Sequence, residues 1–206
     1  MHATGSPSDP SGRPWVLPLV AAVLLLGGIA NSAAYALAAR VGRYWPAYVL
    51  GPQPAGIVLH HSATDAGSDP WRLRDGIDRG HAGRGWGAFF GGRVYHIGYH
   101  YLVSPEGKVL PGRPEWLPGA HCQGHNDTIG VCLLGNLAEQ DSGRAQHPTP
   151  AQMDALVGLV KDLMRKYGLS PEQVYLHRDL GPTECPGEGF PREEFYRRLR
   201  RSGSGP

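Results

Sequence analysis

The stretch His177-Arg178-Asp179-Leu180-Gly181-Pro182-Thr183-Glu184-Cys185-Pro186 sets an imidazole and a thiol seven intervening residues apart, across a loop stiffened by Pro182 and Pro186. Neutral imidazole and thiolate are good Zn2+ ligands, and a catalytic zinc takes three protein ligands and keeps a fourth position for water. A third ligand must come from elsewhere. Upstream, Gly56-Ile57-Val58-Leu59-His60-His61-Ser62-Ala63-Thr64 reads as a buried strand that ends in two histidines. A strand end beside a loop is a rigid place to hold a ligand. The expected set is His60, His177 and Cys185 around one Zn2+. His61 follows a ligand on a strand, so it points to the opposite face and reads as structural. The same alternation makes His61 awkward as a fourth ligand that would close the site.

The elements that must carry these side chains can be read from the pattern. Asp69 and Pro70 start a helix, as N-cap and first residue, and Leu73, Ile77 and His81 fall four apart on one face. His81 reads as a packed helix histidine rather than a ligand. Gly83 to Gly92 is a glycine-rich loop holding Trp86, Phe89 and Phe90, aromatics suited either to packing over the core edge or to a binding wall. Arg93 to Val103 alternates polar and apolar, turns at Ser104-Pro105-Glu106-Gly107 and returns through Lys108-Val109-Leu110, a hairpin pattern. Thr128 to Asn136 is a continuous apolar run, expected as a central strand buried on both faces. Thr149-Pro150-Ala151-Gln152 opens the strongest helix, with Thr149 as cap, Gln152 completing a capping box and Gly168 as the stop. Val174-Tyr175-Leu176 is a short strand delivering His177, and 191–201 is a closing amphipathic helix. The fold class is α/β: a mixed central β-sheet flanked by helices.

The same residues carry a family resemblance. The chain resembles the zinc-dependent N-acetylmuramoyl-L-alanine amidases of the phage-lysozyme and peptidoglycan-recognition-protein type. Five blocks appear in the family's order over about residues 55–200: Leu59-His60-His61-Ser62-Ala63-Thr64, Ile97-Gly98-Tyr99-His100-Tyr101, Gly119-Ala120-His121, Asn126-Asp127-Thr128-Ile129-Gly130-Val131, and His177-Arg178-Asp179 with Thr183-Glu184-Cys185-Pro186-Gly187. The resemblance implies Tyr99 as a catalytic residue assisting water and intermediate. It implies Thr183 as the group stabilising the intermediate, in a position where some relatives carry lysine. His121 and Asn126 match positions that contact substrate, and Asp179 either orients its neighbours or caps the loop. The implied reaction is Zn2+-dependent hydrolysis of the amide between N-acetylmuramic acid and L-alanine in peptidoglycan or muropeptides. The alternative is a non-catalytic peptidoglycan-binding module; such modules lack ligands, commonly the cysteine, so Cys185 speaks for the enzyme.

Composition bounds the rest. The 206 residues accommodate one domain plus an appendage. The net charge of +2 gives no basis for nucleic-acid binding, and the protein is expected to be a monomer. Arg197-Arg198-Leu199-Arg200-Arg201 reads as a solvated helix face and tail. With three cysteines there is no disulfide framework; Cys132 lies in an apolar run and reads as a small buried hydrophobe rather than the partner of Cys122. Residues 1–14 are expected to be disordered and 15–39 to form an N-terminal transmembrane anchor or a signal helix cleaved near Ala36-Leu37-Ala38. Residues 40–54 then form a linker, 55–201 the amidase domain and 202–206 a tail. These readings place the protein in the cell envelope, anchored in the membrane with an outward-facing domain, or exported. Arg13, Arg40 and Arg43 do not settle the orientation.

Overall fold

Two apolar runs form the centre of the molecule. In the computed structural model, which describes residues 53–65, 69–90, 92–138 and 146–201, the element order is β1 (Ile57–His61), α1 (Pro70–Gly83), β2 (Ala88–Phe90), β3 (Arg93–Tyr95), β4 (Tyr101–Val103), β5 (Val109–Pro111), β6 (Ile129–Leu133), α2 (Pro150–Tyr167), β7 (Val174–Leu176) and α3 (Arg192–Arg200). β1 and β6 are buried at every residue and pair in parallel, Ile57 opposite Ile129 and His60 opposite Cys132. The sheet order is β5-β4-β6-β1-β7, all parallel except β5, which returns antiparallel to β4.

Helices cover both faces, as a sheet buried on two sides requires. On one face Ile57, Leu59, Val131, Leu133 and Leu176 pack with Met153, Leu156, Val160 and Leu163 of α2 and with Phe195 and Leu199 of α3. On the other face Leu102, Cys132 and Leu134 pack with Leu73 and Ile77 of α1 and with Tyr99. Because side chains alternate along a strand, His60 goes to the α1 face and His61 to the α2 face. There His61 Nδ1 accepts the Leu137 N–H at 3.0 Å, the structural role expected of it.

The helix signals hold in detail, with one correction. Asp69 accepts the Trp71 and Arg72 N–H groups at the start of α1, and Thr149 accepts the Gln152 N–H at the start of α2. Gly168 ends α2 in the left-handed conformation, its N–H on the Met164 carbonyl. Gln152, however, does not complete a capping box. Its amide donates to the Val103 carbonyl at 2.8 Å and the Leu134 carbonyl at 3.0 Å, bolting α2 to the ends of β4 and β6.

The alternating run from Arg93 to Val103 is not one strand. Its first part, β3, pairs with β2 in a separate two-stranded sheet, and only β4 joins the main one. Residues between them bond to α1 instead: Ile97 N–H to Asp78 Oδ1 and Gly98 N–H to His81 Nδ1, each at 2.8 Å. Gly98 is required here, since a Cβ would stand 2.1 Å from the Ala120 carbonyl oxygen. The expected N-terminal disordered segment, transmembrane or signal helix and most of the linker lie outside the described residues, as does the 202–206 tail. Among the described residues no helix is long and apolar enough to cross a membrane.

Candidate metal centre

The register of the sheet brings the first two candidate ligands together. Leu59 pairs with Leu176, so the next residues along the parallel strands, His60 and His177, emerge side by side at their carboxyl ends. Their ring centroids are 4.5 Å apart. A short turn over His177–Asp179 follows β7, and Asp179 caps it: Oδ2 accepts the Leu176 N–H at 3.0 Å while Oδ1 pairs with Arg192. Capping is thus the observed role of Asp179.

The loop then folds back so that Arg178 N–H reaches the Cys185 carbonyl at 2.9 Å. The Cys185–Pro186 peptide bond is cis, and Gly187 follows at φ 96° with no room for a Cβ, which would lie 2.2 Å from the Leu137 oxygen. This folding carries Cys185 Sγ to 3.7 Å from His60 Nδ1, with the His61 N–H directed at the sulfur at 3.5 Å. One ligand atom from each of His60, His177 and Cys185 lies within 4.8 Å of the others. Ligands at about 2.0 Å (N) and 2.3 Å (S) from a tetrahedral zinc stand roughly 3.5 Å apart, so the donor types suit that ion and their atoms would draw closer around it.

Burial sets the electrostatics. It lowers the pKa of His60 well below the usual imidazole range, with His121 and His177 adding to the effect, and it lowers that of His177. Both rings are therefore neutral, with lone pairs to offer. Burial also pushes the Cys185 thiol up to about 11, partly opposed by the His61 N–H. A cation held beside it would favour the thiolate, because its charge would replace the missing solvent.

Tyr99 stands beside the ligands, its ring centroid 5.2 Å from that of His60. Burial, reinforced by Cys132 and Cys185, raises its pKa well above 10, so the phenol is a hydrogen-bond donor. Thr183 Oγ1 accepts the Cys185 N–H at 3.2 Å. His121 is 9% exposed; its Nδ1 is 3.0 Å from His60 Nε2 and its Nε2 is 3.1 Å from the Thr128 oxygen. Asn126 Oδ1 accepts the N–H groups of His121 and Cys122. All three cysteines are free thiols, with Cys122 and Cys132 buried. The aromatic loop divides between the two roles: Trp86 packs on the buried His81 ring with centroids 4.8 Å apart, whereas Phe89 is 66% exposed.

Two features escaped the sequence reading. Arg113 is 4% exposed, and its guanidinium donates to the carbonyls of Trp86, Tyr95, His96, Ile97 and Pro118. It ties the β2–β3 hairpin and the following loop to the segment that bears Tyr99. Glu115 accepts from Tyr101, Lys166 and Tyr167, fastening that loop to β4 and α2. Nothing local in the sequence distinguishes either from a surface charge.

Comparison with known proteins agrees with this geometry. The family model for N-acetylmuramoyl-L-alanine amidase matches residues 50–188, which contain His60, Tyr99, His121, Asn126, His177, Thr183 and Cys185. An endolysin of Klebsiella phage KP32 is 34% identical over 131 residues, covering 63% of this chain and 78% of its own. Peptidoglycan-recognition protein LB of Drosophila melanogaster is 31% identical over 144 residues, 66% of this chain and 56% of its own. Among solved structures, the N-acetylmuramoyl-L-alanine amidase LysC from Clostridium intestinale URNW superposes with a TM-score of 0.58 at 34% identity, covering 71% of this chain and 85% of that one. With two histidines and a cysteine gathered at the strand ends, inside the segment that the family model spans, the chain belongs to the N-acetylmuramoyl-L-alanine amidase family.

Proposed function

We propose that the protein is a Zn2+-dependent amidase that cuts the bond between the lactyl group of N-acetylmuramic acid and the L-alanine of a stem peptide, in peptidoglycan or its fragments. The observation that carries this reading is the approach of one donor atom each from His60, His177 and Cys185 to within 4.8 Å of one another. Zinc held there supplies a Lewis acid for the water and the scissile carbonyl. His60 and His177 bind as neutral imidazoles and Cys185 as thiolate. Because the thiol loses a proton on binding, affinity for the ion rises with pH. Tyr99, kept protonated, directs its O–H to the attacking water and then to the oxyanion. Thr183 accepts from the Cys185 N–H and turns its own hydroxyl proton to the same oxyanion. A hydroxyl offers less charge than an ammonium, so a cation held by His60, His177 and Cys185 would have to supply more of that stabilisation. In this reading His121 and Asn126, expected as substrate contacts, support the wall of the site from within, and the exposed aromatics of the β2–β3 hairpin face the polymer.

The substrate lies outside the cytoplasm, and the uncharged run 16–39 is the means of export or of tethering to the envelope. Residues 40–54 link it to the amidase domain at 55–201. The test is to incubate the full-length protein with muropeptides, with and without a chelator, and to follow free L-alanine amino termini. Release that stops on chelation and returns with Zn2+ is expected. Binding without release under every metal condition would instead identify a recognition module.

A further inference from the structure

The chain of contacts behind the ligands has a direction. The Thr128 carbonyl can only accept, so His121 Nε2, at 3.1 Å, carries the hydrogen. In a neutral ring that leaves His121 Nδ1 as an acceptor. The ring is buried, an environment that disfavours the charged imidazolium. His121 Nδ1 faces His60 Nε2 at 3.0 Å, so His60 Nε2 must be the donor. His60 Nδ1 then has a bare lone pair, and it is this atom that stands 3.7 Å from Cys185 Sγ.

The surroundings are shaped to hold the His121 ring in that pose. A Cβ on Gly119 would fall 2.3 Å from His121 Cδ2 and one on Gly130 would fall 2.4 Å from it, so two glycines form the walls of its slot. Asn126 fixes its backbone through Oδ1, and Ala120 N–H is tied to the Gly98 carbonyl at 3.0 Å. Two of the sequence blocks, Gly119-Ala120-His121 and Asn126 to Val131, thereby acquire one purpose.

We propose that His121 is a positioning residue for the metal centre: through the Thr128–His121–His60 hydrogen-bond chain it fixes the tautomer and ring orientation of His60 and presents Nδ1 to the cation. The proposal rests on the metal-site reading above. Outer partners of this kind orient ligand histidines, and their loss commonly lowers metal affinity about 10–100-fold.

The experiment uses the full-length protein with nitrogen-15-labelled histidine, His60 being identified by the signal lost in His60→Gln. Long-range proton–nitrogen correlation at neutral pH is expected to show His60 and His121 both protonated at Nε2 in the metal-free protein. His60 protonated at Nδ1, or bound to zinc through Nε2, overturns the proposal. In parallel, Zn2+ affinity is measured by chelator competition. A folded His121→Leu variant is expected to bind about 10–100-fold more weakly, with His121→Asn recovering much of the loss because its oxygen can accept near the place of Nδ1. Unchanged affinity in His121→Leu overturns the proposal. If the wild-type protein bound no zinc, the functional reading would fail, while the tautomer measurement would still decide the role of His121.

Discussion

At the scale of single residues, two hydroxyls separate chemistry from metal binding. Tyr99→Phe deletes the donor and keeps the ring that contacts His60 and His81. Loss of one oxyanion donor typically lowers kcat by about 100–1,000-fold. That loss is expected here with zinc content unchanged, as steady-state kinetics and metal analysis on the same sample will show. Thr183→Ala removes a second donor and also the acceptor of the Cys185 N–H, so it is expected to lower both kcat and zinc retention, with Thr183→Ser restoring both. Loss of zinc without loss of kcat in the zinc-saturated variant would leave Thr183 only its loop contact. Tyr99 and Thr183 stand out only through the family resemblance, since a strand tyrosine or a turn threonine taken alone signals packing or a turn. The partners were not legible: His121 is silent in sequence about whether it faces substrate or His60, since loops may present either side.

At the scale of elements, the site depends on where strands end. β1 and β7 pair as far as Leu59 and Leu176, and the next residue along each chain is one of the two histidines. β4 and β6 stop against α2, where Gln152 supplies donors to the Val103 and Leu134 carbonyls. Gln152→Leu leaves two buried acceptors without that amide, a loss of about 1–3 kcal/mol. Denaturant unfolding is expected to show it, while kcat of the folded protein stays unchanged because α2 carries no site residue. The helices, the central strand β6 and short β7 were all legible from capping residues and apolar runs. The division of Arg93–Val103 was not. Its alternation suits a strand, but α1 offers Asp78 and His81 as rival partners for the Ile97 and Gly98 N–H groups, and that choice exists only once α1 is docked.

At the scale of the whole molecule, neutral buried histidines tie stability to pH. His100 Nδ1 accepts the Gly130 N–H and its Nε2 donates to the Leu117 carbonyl, joining β6 to the long loop before it. Burial holds its pKa down to about 4, against about 6.5 in an unfolded chain. Between those values the unfolded state binds the extra proton, so stability is fully present above about pH 6.5, falls as the pH drops toward 4, and the contribution of this group levels off below. The shift corresponds to about 3 kcal/mol. Urea midpoints of the metal-free protein between pH 7 and 4 are expected to fall, and His100→Asn to flatten that fall by close to one proton. By itself the sequence determined the alternation of strands and helices, since capping and hydrophobic period are local properties, and its ordered motif blocks carried the family resemblance and the candidate ligands His60, His177 and Cys185. Only the tertiary structure decided which face each histidine takes, that Asp179 caps a turn, that Arg113 and Glu115 bind the loops together, and that His121 stands behind His60. These are contacts between residues as much as 76 positions apart, made when the sheet closes and buried polar atoms must find partners.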